Sequence, residues 1–397
     1  MDPRLRVLYL LAVAVGIFFL HPLWQVAAVL GLQMVLWLAV GLPPRRLVRQ
    51  TFKLWGFALF LVLSYALARS DEGAPEQWVR WHWLKINVAG ALTGATMVLR
   101  VMAVVLASQV ARAGDVRAIA AGLAKLRVPR MVAAPIDAVL ALLGGAGGGG
   151  GGGGGGHRHE QPEGPREGFL TAVKRLGRGD VAPLIGRLES QIARAEKHVA
   201  TQFGRHPWVR DVALIAGISL TMLGFKAIKI LPSIPFAPGY KLVILTPFYI
   251  LASLLTRTRV GATLAGLTMG TVAFLMGDGR YGIFEIAKHV APGVVSDLGV
   301  PLLVRGGRQP GPLSWSLLGT LMAVGRMATI FCIVLTVQAP RVAYALLLPG
   351  LAFQCTFGAL SGYVSYQLVR AARPLGAPRS ADGKDEEAAL RRAEGKT

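Results

Sequence analysis

The stretch LESQIARAEKHVATQFGRH (188–206) decides how the chain is organised. It is as long as a membrane span, but it carries too many charges to lie in a bilayer. If a helix begins after Asp180 as its cap, one of its faces is apolar. That face consists of Val181, Leu184, Ile185, Leu188, Ile192, Val199 and Phe203. The opposite face aligns Arg187, Arg194 and Arg205 over about five turns. The pattern predicts an amphipathic helix with a basic stripe facing water, either an ordinary solvated face or a docking surface.

The composition around this stretch is typical of an integral membrane protein. Of the 397 residues, 53% are hydrophobic and 16% are charged, against about 25% charged in a soluble domain. The net charge is +22, but no nucleic-acid-binding motif accompanies it. Basic loops on the cytoplasmic side of a bilayer explain the excess of positive charge better than nucleic-acid binding does. We therefore expect the lipid bilayer as a partner and no nucleic acid.

Ten apolar runs flank the stretch, four before it and six after it. A signal peptide is an alternative for the first run, but the second follows almost without a polar gap, which favours a retained span. The sequence predicts an all-α integral membrane protein with about ten transmembrane helices. The runs are 4–20, 23–42, 52–68, 86–111, 209–230, 242–255, 260–276, 283–304, 313–337 and 342–369.

Basic clusters set the expected orientation. With a cytoplasmic N-terminus, the clusters at 43–53, 112–208 and 256–259 and the tail from Arg370 all fall on the cytoplasmic side. We therefore expect both termini in the cytoplasm and the chain in a bacterial cytoplasmic (inner) membrane.

The segment between the two groups of spans contains further helices and a linker. Residues 113–143 predict one or two amphipathic helices with Asp115 as a cap, and ten consecutive glycines (147–156) follow. No Lys-Ser or Lys-Thr pair follows the glycines, so they form a flexible tether rather than a phosphate loop. The expected parts are a four-helix membrane part (1–112), cytoplasmic coupling helices (113–206) with a linker (144–156), a six-helix module (207–372) and a disordered tail (373–397).

No catalytic motif is present. The sequence lacks a Walker A motif, a His-Glu-x-x-His motif and a nucleophile elbow, so we expect that the chain is not an enzyme. Any ATP that the protein uses would be hydrolysed by another chain. Cys332 and Cys355 lie in apolar runs and lack the spacing of metal ligands. His157 and His159 follow the glycines, and two histidines on a flexible segment make only a weak metal site. The sequence therefore predicts no metal site and no cofactor.

Residues 1–210 resemble the transmembrane T component of energy-coupling factor (ECF) transporters, which are vitamin and metal importers. The resemblance rests on Arg100, on DVRAIAAGLAKLRVP (115–129) and on ARAEKHVATQFGR (193–205). It implies two ABC-type ATPase subunits as partners, whose grooves receive short arginine motifs of the coupling helices. The positions that match these motifs are Arg178, Arg194 and Arg205.

Residues 207–372 resemble the substrate-capturing S component of the same transporters, through IKILPSIPFAPGYK (228–241), VGATLAGL (260–267) and the six spans. The resemblance implies a pocket at the outer face. Polar residues near the outer helix ends favour a small, polar, vitamin-like ligand, with an anion among the candidates and a metal ion disfavoured. The predicted binding residues are Lys226, Lys229, Lys241, Asp278, Arg280, Tyr281 and Glu285, near Lys288. Snorkelling lysines and loop charges are the alternative.

Other pairs predict helix contacts. Asp297 and Arg326 are expected to form a structural ion pair, with a ligand clamp as the alternative. Small residues four apart predict close helix packing at Ala213/Gly217, Gly266/Gly270 and Gly358/Gly362.

Two other functions also fit this sequence. An ion-driven secondary transporter would need no ATPase but would show an inverted repeat, and none is evident. A membrane scaffold would dock a soluble partner through the segment 112–208 and would bind no solute at its outer face.

Overall fold

In a computed structural model, the described residues are 2–67, 78–81, 84–115, 117–147, 182–204, 206–227, 242–276, 283–304, 310–337 and 340–371. Nearly all of them are helical. The N-terminal part contains α1 (Pro3–Gly16), a short 3-10 turn (Ile17–Phe19), α2 (Leu23–Ala39), α3 (Pro44–Leu67), α4 (Val88–Ala111), α5 (Ala118–Lys125) and α6 (Arg130–Gly147). A two-stranded antiparallel hairpin, β1 (Trp78–Trp81) and β2 (Leu84–Asn87), precedes α4.

Seven further helices follow the linker among the described residues. They are α7 (Ala182–Phe203), α8 (Pro207–Ala227), α9 (Leu242–Leu255), α10 (Gly261–Leu275), α11 (Phe284–Val304), α12 (Pro312–Val337) and α13 (Pro340–Ala371). Helices α9, α10 and α11 pack on one another. Helix α12 packs on α11, and α13 packs on both α12 and α9.

The predicted class, an all-α integral membrane protein, is confirmed. Each of the ten apolar runs contains a helix. Among the described residues, five helices are long and apolar enough to cross a membrane and three more are apolar but shorter. Their outward faces expose large apolar side chains such as Trp24, Phe52 and Leu313, as a lipid-facing surface requires. The count of ten spans stays a prediction.

Helix α7 has the amphipathic character that its sequence predicts. Leu188 and Val199 are fully buried, whereas Arg187 and Arg194 are exposed. Gly204 directly follows the helix, and its φ of +71° places it in the left-handed region that favours glycine after a helix C-terminus. The chain then turns into α8, so α7 and α8 form a helical hairpin.

Glycines allow the close helix contacts that their spacing predicts. A Cβ atom at Gly217 of α8 would lie 2.7 Å from the Cα atom of Ile192 on α7. A Cβ atom at Gly270 of α10 would lie 2.8 Å from the Cα atom of Ile286 on α11, and Gly358 of α13 is equally close to α12. Backbones approach each other at these positions because no side chain intervenes.

Helix α6 is more deeply packed than a surface helix. Its residues 133–136 and 138–140 are buried, and it contacts both α8 and α10. The chain therefore forms two separate helices over 117–147, and α6 joins the helix bundle. The cytoplasmic location of residues 113–206 stays a prediction.

A polar network ties α5, α6 and α7 together. The guanidinium of Arg117 pairs with the carboxylate of Asp137, and the backbone N–H of Arg117 donates to the side chain of Asp115 at 2.8 Å. In the amide orientation that satisfies both partners, Gln202 of α7 accepts from Arg117 Nη2 at 2.6 Å and donates to Asp137 Oδ2 at 3.2 Å. The hydrogen bond to Asp137 raises the pKa of Arg117 above its ordinary value.

The expected ion pair between Asp297 and Arg326 stays a prediction, but Asp297 has other partners. The carboxylate of Asp297 accepts from the backbone N–H groups of Ala262 and Thr263 at 3.0 and 2.8 Å, and from the hydroxyls of Thr263 and Ser253 at 2.7 and 2.6 Å. It therefore caps α10, whose own N-cap residue, Val260, supplies no side-chain bond. The N–H groups at a helix start have no partner within the helix, and their partial positive charge attracts a carboxylate.

Replacing Asp297 by alanine is expected to lower the free energy of unfolding by about 2 kcal/mol, because α10 loses its cap. Thermal unfolding of the purified protein in detergent measures the loss. Asp297→Asn keeps one accepting oxygen and should show a smaller loss. An alanine variant as stable as the wild type would show that the cap contributes nothing.

Candidate solute-binding site

A buried carboxylate lies at the centre of the second part of the chain. Glu285, in the first turn of α11, has a side chain that is only 1% exposed. The Nζ atoms of Lys226 and Lys288 donate to its Oε1 atom at 2.7 and 2.6 Å. Such charge-assisted bonds keep the carboxylate ionised away from water.

A histidine and a tyrosine extend this centre to α9. His289 places Nε2 3.4 Å from Glu285 Oε1 and Nδ1 3.1 Å from the hydroxyl of Tyr249. The consistent arrangement has the tyrosine O–H donating to Nδ1 and the Nε2–H facing the carboxylate. The three side chains therefore form a continuous polar chain from α9 to α11.

Local sequence explains why these groups meet. Glu285, Lys288 and His289 follow an i, i+3, i+4 spacing, which places them on one face of α11. Gly266 lets α10 approach the backbone of His289, which fixes the position of α11. Lys226 reaches the carboxylate from the last turn of α8.

A further basic residue lies near this centre. Arg326 of α12 is close enough to Tyr249 and Lys288 to act on them electrostatically. The described residues thus bring side chains from α8, α9, α11 and α12 to one polar layer. Burying charged groups in a membrane protein is costly, so such a layer is a candidate functional site.

The N-terminal part of the chain touches this layer. Phe18 packs edge-on against Phe284, the neighbour of Glu285, with ring centroids 5.3 Å apart. The buried guanidinium of Arg100 donates to the carbonyl of Leu20 and so holds the segment that carries Phe18. The N-terminal helices are therefore in contact with the start of α11.

The structure brings together two of the predicted binding residues, Lys226 and Glu285, and adds Lys288, which the sequence singled out beside them. The other predicted binding residues lie outside the described residues: Lys229, Lys241, Asp278, Arg280 and Tyr281. Of the predicted coupling residues, Arg194 is exposed on α7, and Arg178 and Arg205 lie outside the described residues. Their roles stay predictions.

Sequence reasoning missed His289 and Tyr249. The spacing of His289 from Glu285 was a usable signal, because residues four apart share a helix face. Tyr249 gave no signal, since it lies inside an apolar run and its partner is on another helix. Among the described residues, no group of three or more His, Cys, Asp or Glu residues is placed to hold a metal ion.

Comparison with protein families gives one match. Residues 1–143 match the family model of CbiQ, cobalt transport protein. This match supports a transport permease component. It covers the N-terminal part and agrees with a T component of an ECF transporter there. Comparisons with curated proteins and with solved structures gave no match.

Proposed function

We propose that the chain is a membrane subunit of an ECF-type ABC importer in a bacterial cytoplasmic membrane. Residues 207–372 capture a small, vitamin-like solute at the outer face. Residues 1–206 couple its uptake to ATP hydrolysis by two separate ATPase subunits. The observation that carries this proposal is the arrangement of α7. Its buried face packs along α8, and its basic face is exposed. Helix α8 in turn supplies Lys226 to the polar centre.

The coupling role follows from the two faces of α7. The exposed Arg194 is available for charge-assisted bonds to acidic groups of an ATPase groove, with Arg178 and Arg205 as its proposed companions. The apolar face contacts α8 at Gly217 through Ile192, without an intervening side chain. A displacement of α7 by its partner would therefore move α8 as well.

The solute-binding role rests on the polar centre around Glu285. Its ionisable residues come from four helices, and such convergent polar groups inside an apolar bundle are typical of ligand sites. The helix ends at which Lys226 and Glu285 lie are the outer ends in the predicted orientation. A solute bound there would enter from outside the cell.

Affinity purification tests the coupling proposal. The tagged chain is isolated from its native membrane in mild detergent, and the proteins that accompany it are identified by mass spectrometry. We expect one or two Walker-type ATPases with the wild type and their loss when Arg194 and Arg205 are both changed to glutamate. Arg46→Glu, a reversal at an exposed arginine at the start of α3, is the matched control and should retain them.

The alternatives make different predictions. If an intact, folded chain brings no ATPase, the importer proposal fails and an ion-driven secondary transporter or a scaffold takes its place. Arg205→Glu alone is expected to abolish uptake while solute binding persists. Loss of binding in that variant would contradict the division between coupling and capture.

A further inference from the structure

Among the residues that the structure describes, two buried oxygen atoms near the polar centre lack hydrogen-bond partners. They are Oε2 of Glu285 and the hydroxyl oxygen of Thr246 on α9. Glu285 is 1% exposed and Thr246 is 0% exposed. Buried polar atoms are nearly always hydrogen-bonded, because leaving them unsatisfied is costly. Two such atoms beside an ionised centre therefore point to a ligand that supplies the partners.

The two atoms lie in one layer of the bundle. Helices α9 and α11 run in the same direction, because Tyr249 contacts His289 and, further along both helices, Ser253 contacts Ser296 at 3.0 Å. Thr246 lies about one turn before Tyr249, and Glu285 lies about one turn before His289. Both therefore lie on the same side of the Tyr249–His289 contact and at a similar depth.

A proline adds a further acceptor to this layer. Pro247 lies inside α9, directly after Thr246. Proline has no N–H, so it gives no helical hydrogen bond to the carbonyl of Val243. The turn of α9 that carries Thr246 thus has a carbonyl group that can accept a bond from another donor.

The chemistry of these atoms selects the kind of partner. An ionised carboxylate only accepts hydrogen bonds, so the partner of Oε2 must donate one. Lys226 and Lys288 already contact Oε1 and supply the positive charge that the carboxylate needs, so the donor need not be a cation. An anionic group facing Oε2 would be repelled by the carboxylate.

We infer that the solute is a neutral molecule that donates an N–H or O–H group to Oε2 of Glu285 while its adjacent polar atom binds the hydroxyl of Thr246. This inference rests on the proposed function and narrows its class of solute. It disfavours an anionic group facing Oε2, although the sequence left an anion among the candidate ligands. A site of this kind discriminates strongly against an analogue that lacks the donor, because the buried acceptor is then left unpaired.

Three small probes test the inference by their chemistry. Uracil is neutral and has N–H donors beside carbonyl acceptors, 1,3-dimethyluracil lacks the donors, and orotate adds a carboxylate to uracil. Their binding to the purified full chain in lipid nanodiscs is measured by saturation-transfer NMR titration. We expect uracil to bind at least about tenfold more tightly than either other probe.

Two variants separate binding from folding. Thr246→Val keeps the shape of the side chain and removes only the hydroxyl, so it should not lower the melting temperature. It should weaken uracil binding about tenfold. Thr221→Val is the matched control, because the Thr221 hydroxyl donates to the carbonyl of Gly217 within its own helix at 2.8 Å. It should leave uracil binding unchanged.

Any of four results would overturn the inference. They are equal affinity for uracil and 1,3-dimethyluracil, no binding of either, tighter binding of orotate than of uracil, and a preference for uracil that survives Thr246→Val. These results do not depend on the ATPase partners. If ATPases accompany the chain but the probes do not discriminate, only the solute class is wrong. If the probes discriminate but no ATPase appears, the solute site stands and the importer proposal fails.

Discussion

Glu285→Ala is expected to abolish solute uptake and to lower the free energy of unfolding by about 3–5 kcal/mol. The substitution removes the carboxylate that both Lys226 and Lys288 contact, inside a bundle where water cannot replace it. Uptake into proteoliposomes or cells and thermal unfolding in detergent measure the two effects. This change has the largest expected effect because two buried ammonium groups contact the same carboxylate oxygen.

Two further variants check the reason for this result. Glu285→Gln keeps a carbonyl oxygen that accepts a hydrogen bond and should lose less stability than the alanine variant. Glu189→Ala removes an exposed glutamate on α7 and should change the free energy of unfolding by no more than about 0.5 kcal/mol. If Glu285→Ala unfolds like the wild type, the carboxylate does not organise the polar centre.

Gly217→Leu is expected to reduce uptake at least about tenfold while solute binding persists. A Cβ atom at this position would lie 2.7 Å from the Cα atom of Ile192, so α7 must move away from α8. Such overpacking also costs about 1–3 kcal/mol of stability. Uptake and binding are measured separately on the same preparation, because the prediction concerns coupling rather than capture.

The same helix offers a matched control. Gly224 of α8 has open space where its Cβ atom would be, so Gly224→Leu adds the same side chain without a clash. It should leave uptake and stability close to the wild type. A Gly217→Leu variant with full uptake would show that the close contact between α7 and α8 does not carry the coupling motion.

The helices themselves were predictable from the sequence. Long apolar runs identify membrane helices, and the 3.6-residue period of α7 is enough to identify its buried and exposed faces. Arg187 and Arg194 on one side and Leu188 and Val199 on the other confirm this. The glycine pairs also predicted close packing, because the absence of a side chain is a local property.

The partners of charged residues were less predictable. Asp297 was expected to pair with Arg326, but it caps α10, a role that depends on where the loop before Gly261 lies. The pairing of Glu285 with Lys226 likewise joins residues of two helices. A periodic pattern identifies the face of one helix, but it carries no information about which face of another helix lies opposite.

The sequence by itself determined that this chain is a helical membrane protein with a charged amphipathic helix between two groups of apolar helices. Local composition and spacing fix these features, because a bilayer demands long apolar helices and an aqueous face demands charge. Only the tertiary structure decided that Lys226, Tyr249, Glu285 and His289 meet in one buried layer. It also decided that Oε2 of Glu285 and the hydroxyl of Thr246 have no hydrogen-bond partner there among the described residues. Those contacts depend on the direction and register of α8, α9 and α11, which are set by packing across the bundle rather than by any one segment.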